Sequence, residues 1–280
     1  MNELSNRSKA HPGLWHGGQG IAGLAIVGCV LLAALLAPWL APYSPFEQHL
    51  LDRRQPPSLQ HPMGLDELGR DNLSRVIHGA RLSLWAGVAP VLLAAFIGVL
   101  VGTLAGYRGG WLDSLLMSLV DLTLAFPTLL LAIAIVAVLG RGLANAIYAV
   151  AFTAIPTYAR LMRVNVLATK DQDYVLAARA IGASPARLLW RHIGPNCSTP
   201  LVVQATLGIG TAILEVAGLS FLGLGAQPPT PEWGAMLGQG RGAFFAAPHI
   251  VLFPGLAIML TVLGFNLLGN GLRDVLTPES

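Results

Sequence analysis

Charged side chains are scarce in this chain: 14 acidic and 17 basic residues make up 11% of 280, while 54% are hydrophobic and the mean hydropathy is +0.62. That composition excludes a water-soluble globular fold of this length, which would need more polar surface. Lysine is almost missing. Lys9 follows Ser8 and Lys170 follows Thr169, so there is no Gly-Lys-Ser/Thr phosphate loop and no ATPase within the chain itself. No histidine precedes a glutamate, which removes the His-Glu-x-x-His zinc-protease pattern, and no Gly-x-Ser-x-Gly nucleophile elbow occurs. The two cysteines, Cys29 and Cys197, are too few and too far apart for a disulfide framework or a Cys-pair metal site. A non-enzyme with no cofactor and no metal of its own is expected.

Long apolar runs are abundant instead. A spanning helix needs about 20 mostly apolar residues, because every backbone polar group must be satisfied inside the hydrocarbon. The stretches 20–41, 82–107, 112–139, 142–166, 199–225 and 249–272 meet that demand, so the expected fold is an all-α integral membrane protein of six transmembrane helices. Residues 1–19 form an N-terminal segment, 42–81 a loop with an amphipathic helix, 82–272 a five-helix core and 273–280 a tail. The first apolar run is long for a signal-peptide core and is read as a retained helix.

Orientation follows from the short loops and the helix ends. With the N-terminus in the cytoplasm, Arg7, Lys9, Arg108, Arg160, Arg163, Lys170, Arg179, Arg187, Arg191 and Arg273 fall inside, and the outside arginines sit mostly in one long loop. Both termini are therefore expected in the cytoplasm, in a bacterial inner membrane. The net charge of +3 follows from this asymmetry and asks for no nucleic-acid partner.

Two segments lie on the far side. Residues 43–81 carry His61-Pro-Met-Gly-Leu-Asp66-Glu-Leu-Gly-Arg70-Asp71, then an amphipathic stretch with Leu73, Val76 and Ile77 on one face and Asn72 or Asp71 at its start. Residues 226–248 carry a proline cluster followed by Glu232-Trp233, with Trp233 placed to anchor at the membrane interface. Asp66, Arg70, Asp71, Glu232 and Trp233 are the candidates for an outer gate or a partner contact, and an ordinary anchored loop fits as well. His49, His61 and His78 match no compact metal site.

On the cytoplasmic side, Asp173 to Pro195 reads as helix, glycine turn, helix. Asp173 is a candidate N-cap, Gly182 suits a left-handed C-cap, and Ser184 with Pro185 suits the start of the second helix. Ala177, Ala178 and Ala183 keep the first half narrow, and Arg187 and Arg191 stand four residues apart for a partner's carboxylates or for lipid phosphates. Two carboxylates, Asp121 and Glu215, fall inside apolar segments, where such groups are costly and face a cavity or a partner. Glu215 is a candidate lining residue or a structural hydrogen-bonding group; for Asp121 the structural role is favoured.

From Tyr174 to Asn196 the chain resembles the coupling motif of bacterial ABC-importer permeases, in which Glu-Ala-Ala is followed after three residues by Gly and later by Ile-x-Leu-Pro. Ala177-Ala178, Gly182, Ile193 and Pro195 match, while Leu176 stands where the family has Glu and Gly194 where it often has Leu. His61 to Asp71, Ser74-Arg75, Asp121 with Phe126-Pro127, Glu215 with Leu219-Ser-Phe-Leu-Gly-Leu-Gly225, and Pro231-Glu232-Trp233-Gly234 resemble motifs of the dipeptide, oligopeptide and nickel branch. The resemblance implies the type I importer permease fold, with Ala177, Ala178, Gly182, Ala183, Ser184, Arg187 and Arg191 at the ATPase contact. It also implies a paralogous permease, two ATPase subunits that bind the ATP and magnesium, and an external solute-binding protein. Di- or oligopeptides rank first as cargo, and nickel or a metal chelate second. A proton-coupled secondary transporter using Asp121 or Glu215 is the competing class, weakened by the lack of a visible internal repeat.

Overall fold

The computed structural model describes residues 18–276. The expected N-terminal segment, with Arg7 and Lys9, and the end of the C-terminal tail lie outside the described residues. Among the described residues eleven α-helices build a bundle, with α1 (Gly18–Leu35), α2 (Ala37–Leu40), α3 (Asn72–Arg108), α4 (Gly110–Leu124) and α5 (Thr128–Leu139) in its first half. α6 (Leu143–Lys170), α7 (Asp173–Ala180), α8 (Pro185–Leu188), α9 (Gly194–Phe221) and α10 (Trp233–Gly240) follow, and α11 (His249–Leu276) closes the chain. Among the described residues the only β pairing is an isolated bridge between Leu65 and Asp71.

The six apolar stretches are all helical, but they do not become six simple spans. α1, α3, the α8–α9 run and α11 are long and apolar enough to cross a membrane, and α4 with α5 makes a fifth only if the bent pair is taken as one span. The stretch 112–139 bends by 92° between Leu124 and Thr128. Pro127 explains the break, since it donates no backbone N–H and pushes the preceding Phe126 out of helical geometry. α6 is too polar to qualify by composition, because it carries Asn145, Arg160, Arg163, Asn165 and Lys170.

The bundle is packed through small residues. α3 and α6 form its most extensive pairing. Gly98, Gly102 and Gly106, four residues apart on α3, lie against Tyr158, Ala159, Met162, Arg163 and Val166 of α6, and a methyl group at Gly102 would collide with the Ala159 carbonyl. Helices in lipid gain nothing from expelling apolar groups out of water toward each other, so close backbone approach and its dispersion energy hold them together. Ala94, Ala146, Ala149, Val150 and Val216 fill the core of this contact. A second cluster joins α1, α3, α9 and α11 through Val27, Leu84, Ile213 and Phe265.

The two long segments expected on the outside come together at one end. Asn72 Nδ2 donates to the His249 carbonyl at 3.0 Å, and the Trp233 indole donates to the Val76 carbonyl at 2.9 Å. The amphipathic stretch leads straight into the second apolar stretch as the first turns of α3, capped by Asp71, whose carboxylate accepts from the Ser74 N–H at 2.7 Å. At this end Arg81 also donates to the last carbonyls of α1, at Ala34 and Leu35. At the opposite end Lys170 Nζ donates to the Gly106 carbonyl at 3.0 Å. The 37 residues of α3 separate these ends by about 55 Å.

Candidate functional site

The segment between α6 and α9 is a rigid elbow. Asp173 is the first residue of α7 rather than its cap, a place that still sets its charge against the positive end of the helix. Gly182 takes φ +87° and ends α7: its N–H bonds to the Arg179 carbonyl at 3.0 Å and the Ala183 N–H to the Ala178 carbonyl at 3.1 Å. Those two bonds are the Schellman pair that satisfies a helix C-terminus. Ser184 then caps α8, accepting from the Arg187 N–H at 3.4 Å, with Pro185 at the first helical position.

α8 lasts a single turn before a π-helical turn, Leu189–Ile193, leads into α9 without a break. The extra residue per turn shifts the register, so Arg187 and Arg191 do not share a plain α-helical face, although both are exposed. Val175, Ala178, Leu188, Ile193 and Cys197 bury the inner side of the elbow against Met162 and Val166 of α6. Asn196 donates to the Tyr174 hydroxyl at 2.8 Å and ties α7 to the start of α9. The elbow is therefore joined by packing to both α6 and α9.

The outer side of the elbow is bare. Ala177, Gly182 and Ser184 are exposed, Ala183 is half-buried and Ala178 is buried. A methyl group added at Gly182 would meet no atom of the chain. Ile181 is 87% exposed and Trp190 84%, two large apolar side chains that the charge pattern did not single out.

A cavity of about 270 Å³ opens between α3, α5, α6 and α9, lined by Thr128, Thr153, Thr157, Gln204, Thr211 and Glu215 among others. Glu215 supplies the one charged side chain of that lining among the described residues. It is half-buried and interacts with the Thr128 side chain, just past the Pro127 break. Gln204, Gly208, Thr211 and Glu215 follow one another at intervals of four, three and four residues, so they share a face of α9. That polar stripe in an apolar segment is legible in the sequence, but only Glu215 was picked from it. Asp121 is elsewhere: its carboxylate pairs with Arg160 at a largely exposed position between α4 and α6.

The five residues expected at an outer gate or partner contact are buried at one end of the bundle. Asp66, Arg70, Asp71, Glu232 and Trp233 are all at most 6% exposed, so none presents its side chain to a partner. Asp66 pairs with Arg70 at 2.6 Å and Arg75 at 3.5 Å, and Asp71 takes the His61 ring at 2.9 Å. Glu232 caps α10 by accepting from the Gly234 and Ala235 N–H groups at 2.9 Å. Burial nevertheless holds its carboxyl above the ordinary glutamate range. Trp233, expected at the membrane interface, is buried because its indole closes the Val76 bond and its ring packs beside Gly79. Among the described residues no three His, Cys, Asp or Glu side chains converge as metal ligands do.

Residues 98–279, more than half of the chain, match the family model described as binding-protein-dependent transport system inner membrane component. The chain belongs to this family of ABC-importer permeases. Residues 20–57 of the permease also match the N-terminal transmembrane domain of oligopeptide transport permease C. It is 54% identical over 251 residues to a glutathione transport system permease protein of Escherichia coli O6:K15:H31, covering 89% of this chain and 83% of that one. It is 49% identical over 259 residues to a dipeptide transport system permease protein of Alkalihalophilus pseudofirmus, covering 92% and 85%. The fold is similar to that of a chain from an inward-facing MetNI methionine ABC transporter, with a TM-score of 0.54, 22% identity and coverage of 72% and 97%. The permease is thus a multi-pass inner-membrane transport component rather than an enzyme.

Proposed function

We propose that the permease forms half of a translocation pathway for short peptides and that the elbow at 173–193 receives the force that drives it. A paralogous permease supplies the other half, two ATPase subunits dock on the elbows, and a solute-binding protein delivers cargo at the capped end. The observation that carries this reading is the elbow's construction. Its inner side is packed into α6 and α9, while Gly182 and its neighbours offer an open turn with exposed Ile181, Trp190, Arg187 and Arg191. With Leu176 in place of a glutamate, docking rests on that shape and on the two arginines. Apolar anchors seated in a partner's pocket and flanked by arginines are the usual carriers of interface energy.

The cargo reading draws on the relatives, whose names specify a dipeptide and glutathione. The cavity on α9 suits it: hydroxyls and an amide accept and donate to peptide groups, and Glu215 attracts an ammonium end. Gly182→Asp tests the docking half. A bulky charge at an open turn leaves membrane insertion intact and lowers substrate-stimulated ATPase activity in the assembled transporter; unchanged coupling in that variant counts against the assignment.

A further inference from the structure

Three buried polar atoms at the capped end have no hydrogen-bond partner among the described residues: Asn72 Oδ1, Arg75 Nη2 and Gln239 Nε2. Their residues line the same small cavity, of about 20 Å³, between the start of α3 and the end of α10. Buried polar groups left unpaired are costly, so three around one cavity call for a shared partner.

The chemistry of the cavity wall is fixed by its neighbours. Gln239 Oε1 accepts from Arg70 Nη2 at 3.0 Å, and an arginine can only donate, so the amide nitrogen is the group of Gln239 left over. Asn72 Nδ2 donates to the His249 carbonyl at 3.0 Å and faces the Met63 carbonyl at 3.4 Å, so its oxygen is the group left over. Arg75 spends Nη1 on the Pro45 and Pro229 carbonyls and Nε on Asp66, which leaves Nη2. The unpartnered atoms of the wall are therefore two donors and one acceptor, beside the already engaged side chains of Asp66, Glu67 and Arg70. Two donors, one of them a guanidinium, repel a cation. A bare anion would face the Asn72 oxygen and the Asp66 carboxylate.

We propose that this cavity is a binding site for one ordered water, which accepts from Arg75 Nη2 and Gln239 Nε2 and donates to Asn72 Oδ1. The volume suffices for a single water, and three hydrogen bonds are what buried waters ordinarily make. The water joins the first turn of α3 to α10 and completes a bridge that Arg70 and Gln239 begin. It thereby stiffens the outer cap at the point where the segment 43–71 meets the α9–α11 connection.

A density map of the purified transporter with its full-length permease, at a resolution that shows ordered waters, tests this. A single peak within hydrogen-bonding distance of all three atoms is expected, and a cavity without one overturns the proposal. Crystals grown in bromide in place of chloride separate water from a halide, since an anomalous peak at the site would also overturn it. In Gln239→Leu the peak should be lost while the complex remains monodisperse; an undiminished peak would contradict coordination by these three atoms.

Discussion

Arg163 and Asp113 meet in a two-point ion pair, Nε to Oδ1 and Nη2 to Oδ2, both at 2.6 Å, which fastens the start of α4 to α6 near the elbow. Parallel bonds of this kind fix orientation as well as distance. With Arg160 and Asp121 one step further along, α4 is held to α6 by two charge pairs.

Asp113→Asn is therefore expected to loosen α4 and lower thermal stability by about 1–3 kcal/mol, the cost of stranding a partly buried guanidinium. Exchanging the pair, Asp113→Arg with Arg163→Asp, should recover a substantial part of the loss. Melting curves of the purified permease complex measure both; a double exchange no better than the single change would show that the pair is not the source.

Glu215→Gln keeps the shape of the cavity wall and removes its charge. Transport is expected to fall about tenfold, equivalent to roughly 1.4 kcal/mol of lost transition-state stabilisation, with assembly of the complex intact. Initial uptake rates together with subunit stoichiometry on gel filtration decide the matter. Loss of assembly would assign Glu215 a structural role instead.

Glu232 predicts a pH dependence of stability. Because burial raises its carboxyl above the ordinary range, the folded chain keeps this proton where the unfolded chain has released it. The contribution is present at pH below the ordinary glutamate value and is lost as pH rises through the raised folded value. Glu232→Gln, which imitates the protonated form, should lack this component. Melts across a pH series should show the wild-type complex losing stability relative to Glu232→Gln as pH rises; parallel curves would contradict the assignment.

The helices and their order were legible because uninterrupted apolar runs leave few alternatives in a membrane, and the elbow because Gly182, Ser184 and Pro185 each demand a particular backbone. The 92° bend at Pro127 was visible as a proline but not as an angle, since lipid and neighbouring helices often accommodate proline in a continuous span. The burial of the two long loops was not legible for a related reason. Asp66, Arg70, Glu232 and Trp233 look like surface chemistry in a linear segment, and only the fold shows that all four are buried, with Asp66 paired to Arg70, Glu232 capping α10 and Trp233 bonded to the Val76 carbonyl. The closest helix contacts depend on what lies opposite Gly98, Gly102 and Gly106, and sequence spacing alone names only one side of such a contact.

The central claim is that this permease moves cargo only through force applied by ATPase subunits at the elbow. Peptide uptake into proteoliposomes containing the two permeases, with and without the ATPase subunits, tests it most directly. Uptake should require the ATPases, ATP and the solute-binding protein, be indifferent to an imposed proton gradient, and fall with Gly182→Asp. Uptake driven by a proton gradient in the absence of any ATPase subunit would contradict the account.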